Sequence, residues 1–162
     1  MAESLTAAAQ RVQDALTALG VACRVVELPA STRSAAEAAA AIGCHVAQIA
    51  KSLVFRGLST DRPILTIVSG ANRVDEERLG GLLEELIAKA DADFVRRRTG
   101  YAIGGVPPVG HAEPLVCLID EDLLQYDEIW AAAGTPRAVF RLTPAELQRI
   151  TGGRVVAVKG VT

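Results

Sequence analysis

The sequence predicts an α+β or mixed α/β domain built around a single sheet. Three observations lead to it. Helical and strand-like apolar patterns alternate along the chain with no linker between them. The strands read as short and numerous, with helices inserted between them. The chain has 162 residues, 50% of them apolar, which suits one domain spanning residues 1–162 with a sizeable core.

Each element has a local reason. Leu5, Ala8, Val12, Ala15, Leu16 and Leu19 fall on one face of a helix over residues 4–19, which Gly20 stops. Residues 21–28 read as a short strand. Ser34-Ala-Ala-Glu37 is a capping box opening a second helix, with Gly43 at its end. Residues 51–55 form a strand, and residues 63–68 a strongly apolar one. The polar loop Ser69-Gly-Ala-Asn-Arg73 leads into a helix over residues 75–83. Asp91 or Asp93 caps a short helix ending in Arg96, Arg97 and Arg98. A Gly-Pro loop follows, then a buried strand over residues 115–119. Residues 126–133 and 137–142 are two further strands, separated by Gly134-Thr-Pro136. Thr143-Pro-Ala-Glu146 is a second capping box with Pro at the first helical position. That helix ends at Gly152-Gly153, and residues 155–158 close the chain as a strand. The pattern does not give the strand order.

Composition excludes several functions. A net charge of −2 argues against coating nucleic acid by bulk charge, though a local basic patch for a tRNA end remains compatible. No run of about 18 apolar residues exists, so no membrane span and no membrane partner are expected. The Ala-rich N-terminus carries Glu3, Arg11 and Asp14 and lacks the apolar core of a signal peptide, which points to the cytoplasm. Cys23, Cys44 and Cys117 are far apart with no CxxC, and reduced thiols are expected. Neither His45 nor His111 has a partner at metal-ligand spacing, so no metal and no cofactor are expected. No GxGxxG follows the first strand, and neither GxxxxGK[ST] nor GxSxG occurs.

The stretch Gly100-Tyr-Ala-Ile-Gly-Gly-Val-Pro-Pro-Val-Gly-His111 is the most informative in the chain. Gly104 and Gly105 lack Cβ atoms, so a ligand can approach the main chain closely. Pro107 and Pro108 fix φ and remove two donors, and Pro108 pushes Pro107 out of the helical region. A stiff loop follows, whose N–H groups at Gly104, Gly105 and Val106 suit an ester carbonyl or a ribose. The competing reading is a tight turn between two strands.

Lys51 stands where a helical segment meets an apolar strand and can hold a phosphate or carboxyl oxygen as a compact cation. A solvated surface lysine is the alternative. Asn72 and Arg73 follow the apolar strand 63–68 and reach the same sheet edge, or serve only as helix entry. His111 can donate a hydrogen bond or act as an acid or base, unless it is structural. Arg96 to Arg98 are tRNA-phosphate candidates or merely a helix end that compensates the dipole.

The residues Lys51-Ser-Leu-Val-Phe55, Ser69-Gly-Ala-Asn-Arg73 and the loop 100–111, in this order, resemble the YbaK/prolyl-tRNA editing family over roughly residues 5–158. The family includes free-standing aminoacyl-tRNA deacylases and the editing domain inserted into bacterial prolyl-tRNA synthetases. The resemblance implies a curved, mostly antiparallel central sheet flanked by helices. It implies hydrolysis of the ester that joins a wrong amino acid to the terminal adenosine of tRNA-Pro. The family lysine falls on Lys51, and the Gly-x-x-x-Pro loop on Gly104 to Pro108. The family uses neither a covalent nucleophile nor a metal. The implied partners are the acceptor end of mischarged tRNA and a prolyl-tRNA synthetase; DNA is not expected.

On this reading Lys51, Gly104, Gly105 and His111 are the candidate catalytic residues, and Asn72, Arg73, Val106 and Pro108 the substrate-binding ones. Asn72 or His111 would orient a water that the ribose hydroxyl of the substrate helps to activate. In family members acting on Cys-tRNA, the segment matching Trp130 to Arg141 carries small polar and acidic residues. Here Ala131-Ala-Ala-Gly-Thr-Pro-Arg-Ala-Val-Phe140 is mostly apolar, which favours a small aliphatic substrate such as alanine over cysteine. Two other classes fit less fully: a non-catalytic module binding tRNA or a synthetase, and a small-ester hydrolase unrelated to tRNA.

Overall fold

The computed structural model describes residues 4–160; the ends of the expected 1–162 domain, residues 1–3 and 161–162, lie outside the described residues. Most helices begin where a short polar side chain caps them. Ser34, Asp75, Asp91 and Thr143 accept hydrogen bonds from the backbone N–H three residues on. They open α2 (Ala35–Ile42), α3 (Glu76–Leu83), α4 (Ala92–Thr99) and α5 (Pro144–Thr151). Asp91, not Asp93, is the cap of α4, while Asp93 pairs with Arg97 at 2.8 Å. The box at Thr143 is reciprocal, with the Thr143 N–H donating to Glu146. α1 (Ala7–Ala18) has no side-chain cap and is held by buried Ala9, Val12 and Leu16.

Eight strands form one sheet: β1 (Val25–Glu27), β2 (Ile49–Gly57), β3 (Pro63–Ser69), β4 (Ile87–Lys89), β5 (Val116–Asp120), β6 (Ile129–Ala132), β7 (Ala138–Leu142) and β8 (Arg154–Val156). Their order is β1-β7-β6-β2-β3-β5-β8, with β4 also on β2. The β1–β7, β2–β3, β2–β4 and β6–β7 pairings are antiparallel, and β2–β6, β3–β5 and β5–β8 are parallel. The strand expected from residue 126 starts at Ile129 instead. Asp120 caps a 3-10 turn, Glu121–Gln125, which takes up the Tyr126 N–H. β4 was not expected, because three residues are too few to show alternation.

Register assigns the faces, since cross-strand partners share one side of a sheet. Val54 and Leu65 pair and enter the main core with α1, α4 and α5. Phe55 and Ile64 pair and enter a second core with Leu79 of α3 and Val158. β3, covered on both faces, is buried throughout, which explains its unbroken apolar run.

The two edges of β2 differ. Along one edge β3 pairs from Ala50–Ser69 through Arg56–Pro63. Along the other, β6 reaches only Ile49 and Ala50, and β4 only Phe55 to Gly57. The N–H of Ala90 also reaches the Val54 carbonyl, at 3.2 Å. The Gly57 N–H bonds Arg62 and the Ile49 carbonyl takes the Gly70 N–H, so odd-numbered residues of β2 bond toward β3. The backbone N–H and C=O of Ser52 therefore face the gap between β6 and β4.

Asp120 pins the far end of β3. Its carboxylate, 1% exposed, accepts from the Ser69 N–H at 3.0 Å, Asn72 Nδ2 at 2.8 Å and the Asp122 N–H at 2.9 Å. This fixes the loop carrying Arg73.

The Gly-Pro loop joins α4 to β5, so it is not a turn between two strands. The Gly105 N–H donates to the Ala102 carbonyl at 3.0 Å, and Gly104 has φ +92°, as a type II turn requires. The Gly134 N–H then donates to the Gly105 carbonyl at 2.8 Å. A Cβ on Gly105 would lie 2.9 Å from the Thr135 nitrogen. Glycine is needed at Gly105 for backbone-to-backbone packing, not for ligand approach. Farther along, His111 Nε2 lies 2.7 Å from the Pro107 carbonyl, which only accepts, so Nε2 carries the proton. The Tyr101 hydroxyl donates to the Gly110 carbonyl at 2.9 Å.

Three outcomes are expected. Asp120→Ala leaves buried donors unmet and lowers stability by about 2–4 kcal/mol in urea unfolding. Gly105→Ala pushes the loop off Gly134-Thr135 and costs about 1–3 kcal/mol, measured the same way. Burial depresses the His111 pKa below 6.5 despite the Pro107 hydrogen bond. The unfolded chain therefore binds this proton first, and its contribution to stability is full above pH 6.5 and lost as pH falls toward the folded-state pKa. The drop in Tm below pH 6.5 should be shallower in His111→Asn.

Candidate active site

The gap beside β2 opens into a cleft with two chambers that share Lys51, Ser52, Leu53, Ile103 and Val106. The chamber on the β4 side measures about 620 Å³ and adds Arg73, Glu76, Lys89 and Val95. The chamber on the β6 side measures about 330 Å³ and adds Thr32, Arg33 and Gly104, with apolar walls from Ala38, Ile42, Ile49, Trp130, Ala132 and Val139. α2 and β6 supply most of those walls, and their small alanines keep the space open.

Lys51 is half-buried and makes no ion pair with a described carboxylate. Burial pulls its pKa below the usual lysine value, and the like charges of Arg73 and Lys89 pull it further, against the opposing pull of Asp120. The ammonium has no ion-pair partner among the described residues, and a bound anion would supply one.

The loop opposite offers backbone donors. Among the described residues, the N–H groups of Gly104 and Val106 find no acceptor, whereas that of Gly105 is taken by Ala102. The expected donor set thus loses Gly105 and keeps Gly104 and Val106. Two hydroxyls add to it. Ser52 Oγ and Thr32 Oγ1 are buried without a hydrogen-bond partner, and both residues line the cleft. An unmet buried hydroxyl costs about 1–3 kcal/mol, which a polar ligand can offset.

The structure places Lys51 and Val106 in both chambers, Arg73 in the β4-side one and Gly104 in the β6-side one, while Gly105 lines neither and is bonded to Ala102 and Gly134. It does not bring the others there. Asn72 lines neither chamber, and its amide is spent on Asp120 and on Asp122 at 2.8 Å. His111 and Pro108 line a separate depression of about 420 Å³ with Leu19, Leu65, Cys117 and Ile150. Neither Asn72 nor His111 is placed to orient a water at Lys51. Arg97 pairs with Asp93, and Arg98 with Glu113 at 2.9 Å, so these two serve the end of α4.

Nucleophile chemistry finds no support among the thiols. Burial raises Cys23 and Cys44 above their ordinary value and pushes Cys117 up to about 11. Among the described residues, no group of three or more His, Cys, Asp or Glu side chains is arranged to hold a metal ion.

Sequence reasoning missed Lys89, Ser52, Thr32, Arg33 and Asp120. Only Asp120 left a signal, as a carboxylate ending an apolar strand. Lys89 sits on a three-residue strand, and Ser52 matters because of what fails to pair with it.

Comparison with known proteins is consistent with this geometry. The aminoacyl-tRNA editing domain family matches residues 29–150. A candidate trans-editing enzyme for prolyl tRNA synthetase, of known crystal structure, superposes with a TM-score of 0.92 at 52% identity over 98% of this chain and 100% of that one. The uncharacterised protein YwhH of Bacillus subtilis (strain 168) is 30% identical over 131 residues, 81% of this chain and 83% of its own. EbsC of Enterococcus faecalis (strain ATCC 700802 / V583), a candidate Cys-tRNA(Pro)/Cys-tRNA(Cys) deacylase, is 27% identical over 125 residues, 75% of this chain and 74% of its own. With its Lys51 cleft, its loop donors and the family match over most of its length, this chain belongs to the YbaK-like family of aminoacyl-tRNA editing domains.

Proposed function

We propose that this protein is a trans-editing deacylase that hydrolyses the ester of mischarged tRNA-Pro, with alanine the favoured amino acid. One observation carries the reading. Lys51 and Val106 line both chambers at the unpaired stretch of β2 and Gly104 lines the β6-side one, and the N–H groups of Gly104 and Val106 find no acceptor among the described residues.

The chemistry asks little of the protein. An aminoacyl ester is already activated, so positioning and oxyanion stabilisation supply most of the effect. Lys51 holds the terminal phosphate or ribose and sets the register. The Gly104 and Val106 N–H groups receive the carbonyl oxygen as negative charge develops on it. A water, helped by the free ribose hydroxyl of the substrate, adds to the carbonyl carbon. The ester C–O bond then breaks, the ribose oxygen leaves with a proton, and the free amino acid and tRNA separate. No thiol and no metal enters these steps.

The β6-side chamber supports a small apolar side chain, since its lining includes no carboxylate and its walls are mainly alkyl. Discrimination there is modest, because one methylene is worth only about 1–3 kcal/mol. The partner is the acceptor end of mischarged tRNA, with prolyl-tRNA synthetase as a second partner that presents it.

The test is deacylation of tRNA-Pro charged separately with alanine, cysteine, serine and proline. The expected outcome is turnover of Ala-tRNA-Pro in molar excess over protein and no clearance of Pro-tRNA-Pro. Stoichiometric protection without turnover would make the protein a binding module instead. Lys51→Ala should lower kcat/KM by about 100-fold or more, the scale for losing one oriented charge or donor in a site. Its Tm should not fall, because the fold disfavours the charged form of Lys51.

A further inference from the structure

The β4-side chamber contains more positive charge than ester hydrolysis requires. Lys51 comes from β2, Lys89 from β4 and Arg73 from the loop after β3, and all three line this one space. Lys89 pairs in register with Phe55, so it lies on the same sheet face as Lys51. Phe55 lies four residues along the strand from Lys51, about 13 Å at roughly 3.3 Å per residue. None of the three cations makes an ion pair with a described carboxylate. The facing acidic groups are Glu76, which lines the wall unpaired, and Asp120, whose oxygens are occupied by Ser69, Asn72 and Asp122. Cations gathered from three segments repel one another, and the fold keeps them together with no ion pair to any described carboxylate.

We infer that Lys51, Arg73 and Lys89 form a phosphate track for the single-stranded 3′ end of the tRNA, with the strand arriving over β4 and Lys89 outermost. Lys89 is then a positioning residue that holds a phosphodiester upstream of the terminal adenosine. Arg73 holds the strand where it turns toward Lys51, and the aminoacyl group passes beyond Lys51 into the β6-side chamber. This rests on the deacylase reading above and adds to it a polarity and a ligand class for the larger chamber.

The test compares alanyl-tRNA-Pro with alanyl-adenosine, which carries the ester but no phosphodiester. In Lys89→Ala the preference for alanyl-tRNA over alanyl-adenosine should fall about tenfold at low salt, and the slope of log kcat/KM against log salt should flatten by about 0.7, the single-strand value per phosphate contact. Arg73→Ala should behave alike, Lys89→Arg should restore the preference, and Arg97→Ala, whose guanidinium pairs with Asp93 on α4 and lines neither chamber, should leave both substrates unchanged. Equal losses on both substrates, or an unaltered salt slope, would overturn the track. If the wild type clears no aminoacyl-tRNA, the deacylase reading fails separately. Binding of a 5′-phosphorylated CCA trinucleotide, followed by fluorescence anisotropy, then decides the track: weaker binding by Lys89→Ala upholds it, and equal binding overturns it.

Discussion

Everything distinctive about this domain follows from the way β2 shares its two edges. β3 satisfies one edge in full. The other edge is divided between β6, which runs parallel to β2, and β4, which runs antiparallel, and neither extends far enough to meet the other. A central strand is thereby left with an unpaired stretch without being an edge of the sheet. Backbone polar groups buried there would be costly, so the gap has to remain open to a polar occupant. The cleft is the space that this division leaves, and Lys51 and Ser52 stand on its floor.

The charges and glycines around the cleft make sense against that gap. The Gly105 backbone packs on Gly134-Thr135, which sets the height of the loop over β2 and leaves the Gly104 and Val106 N–H groups unengaged. Asp120 spends its carboxylate on backbone and amide donors, which fixes the Arg73 loop without neutralising Lys51. The protein as a whole is slightly acidic, with net charge −2, yet it concentrates three cations that make no ion pair in one chamber. Such an arrangement suits local recognition of a nucleic-acid end and gives little general attraction for a long duplex.

Much of the fold was legible because the signals were local. Capping residues at Ser34 and Thr143 marked helix starts, and the apolar run 63–68 marked a strand that the fold buries on both faces. Strand order was not legible, since pairing is decided by contacts distant in sequence. The candidate site divides the same way. Lys51, Gly104 and Val106 stood out because their types and spacing carry chemistry and the family resemblance linked them, and all three line the cleft. His111 and Asn72 looked equally suitable, but one braces the Pro107 carbonyl and the other serves Asp120. A polar residue in a loop reads alike whether it turns toward a ligand or toward its own backbone. Lys89 gave no signal, and Ser52 only its place in the motif beside Lys51, because their positions at the cleft come from strand pairing.

The most direct measurement is an NMR titration of the backbone amides with a non-hydrolysable alanyl-adenosine amide. The account predicts shifts at Ser52, Gly104 and Val106, with Gly105 and the residues around His111 and Cys117 undisturbed. Shifts centred on His111, Cys117 and Ile150, with Ser52 and Gly104 unmoved, would contradict it and relocate the site to that separate depression.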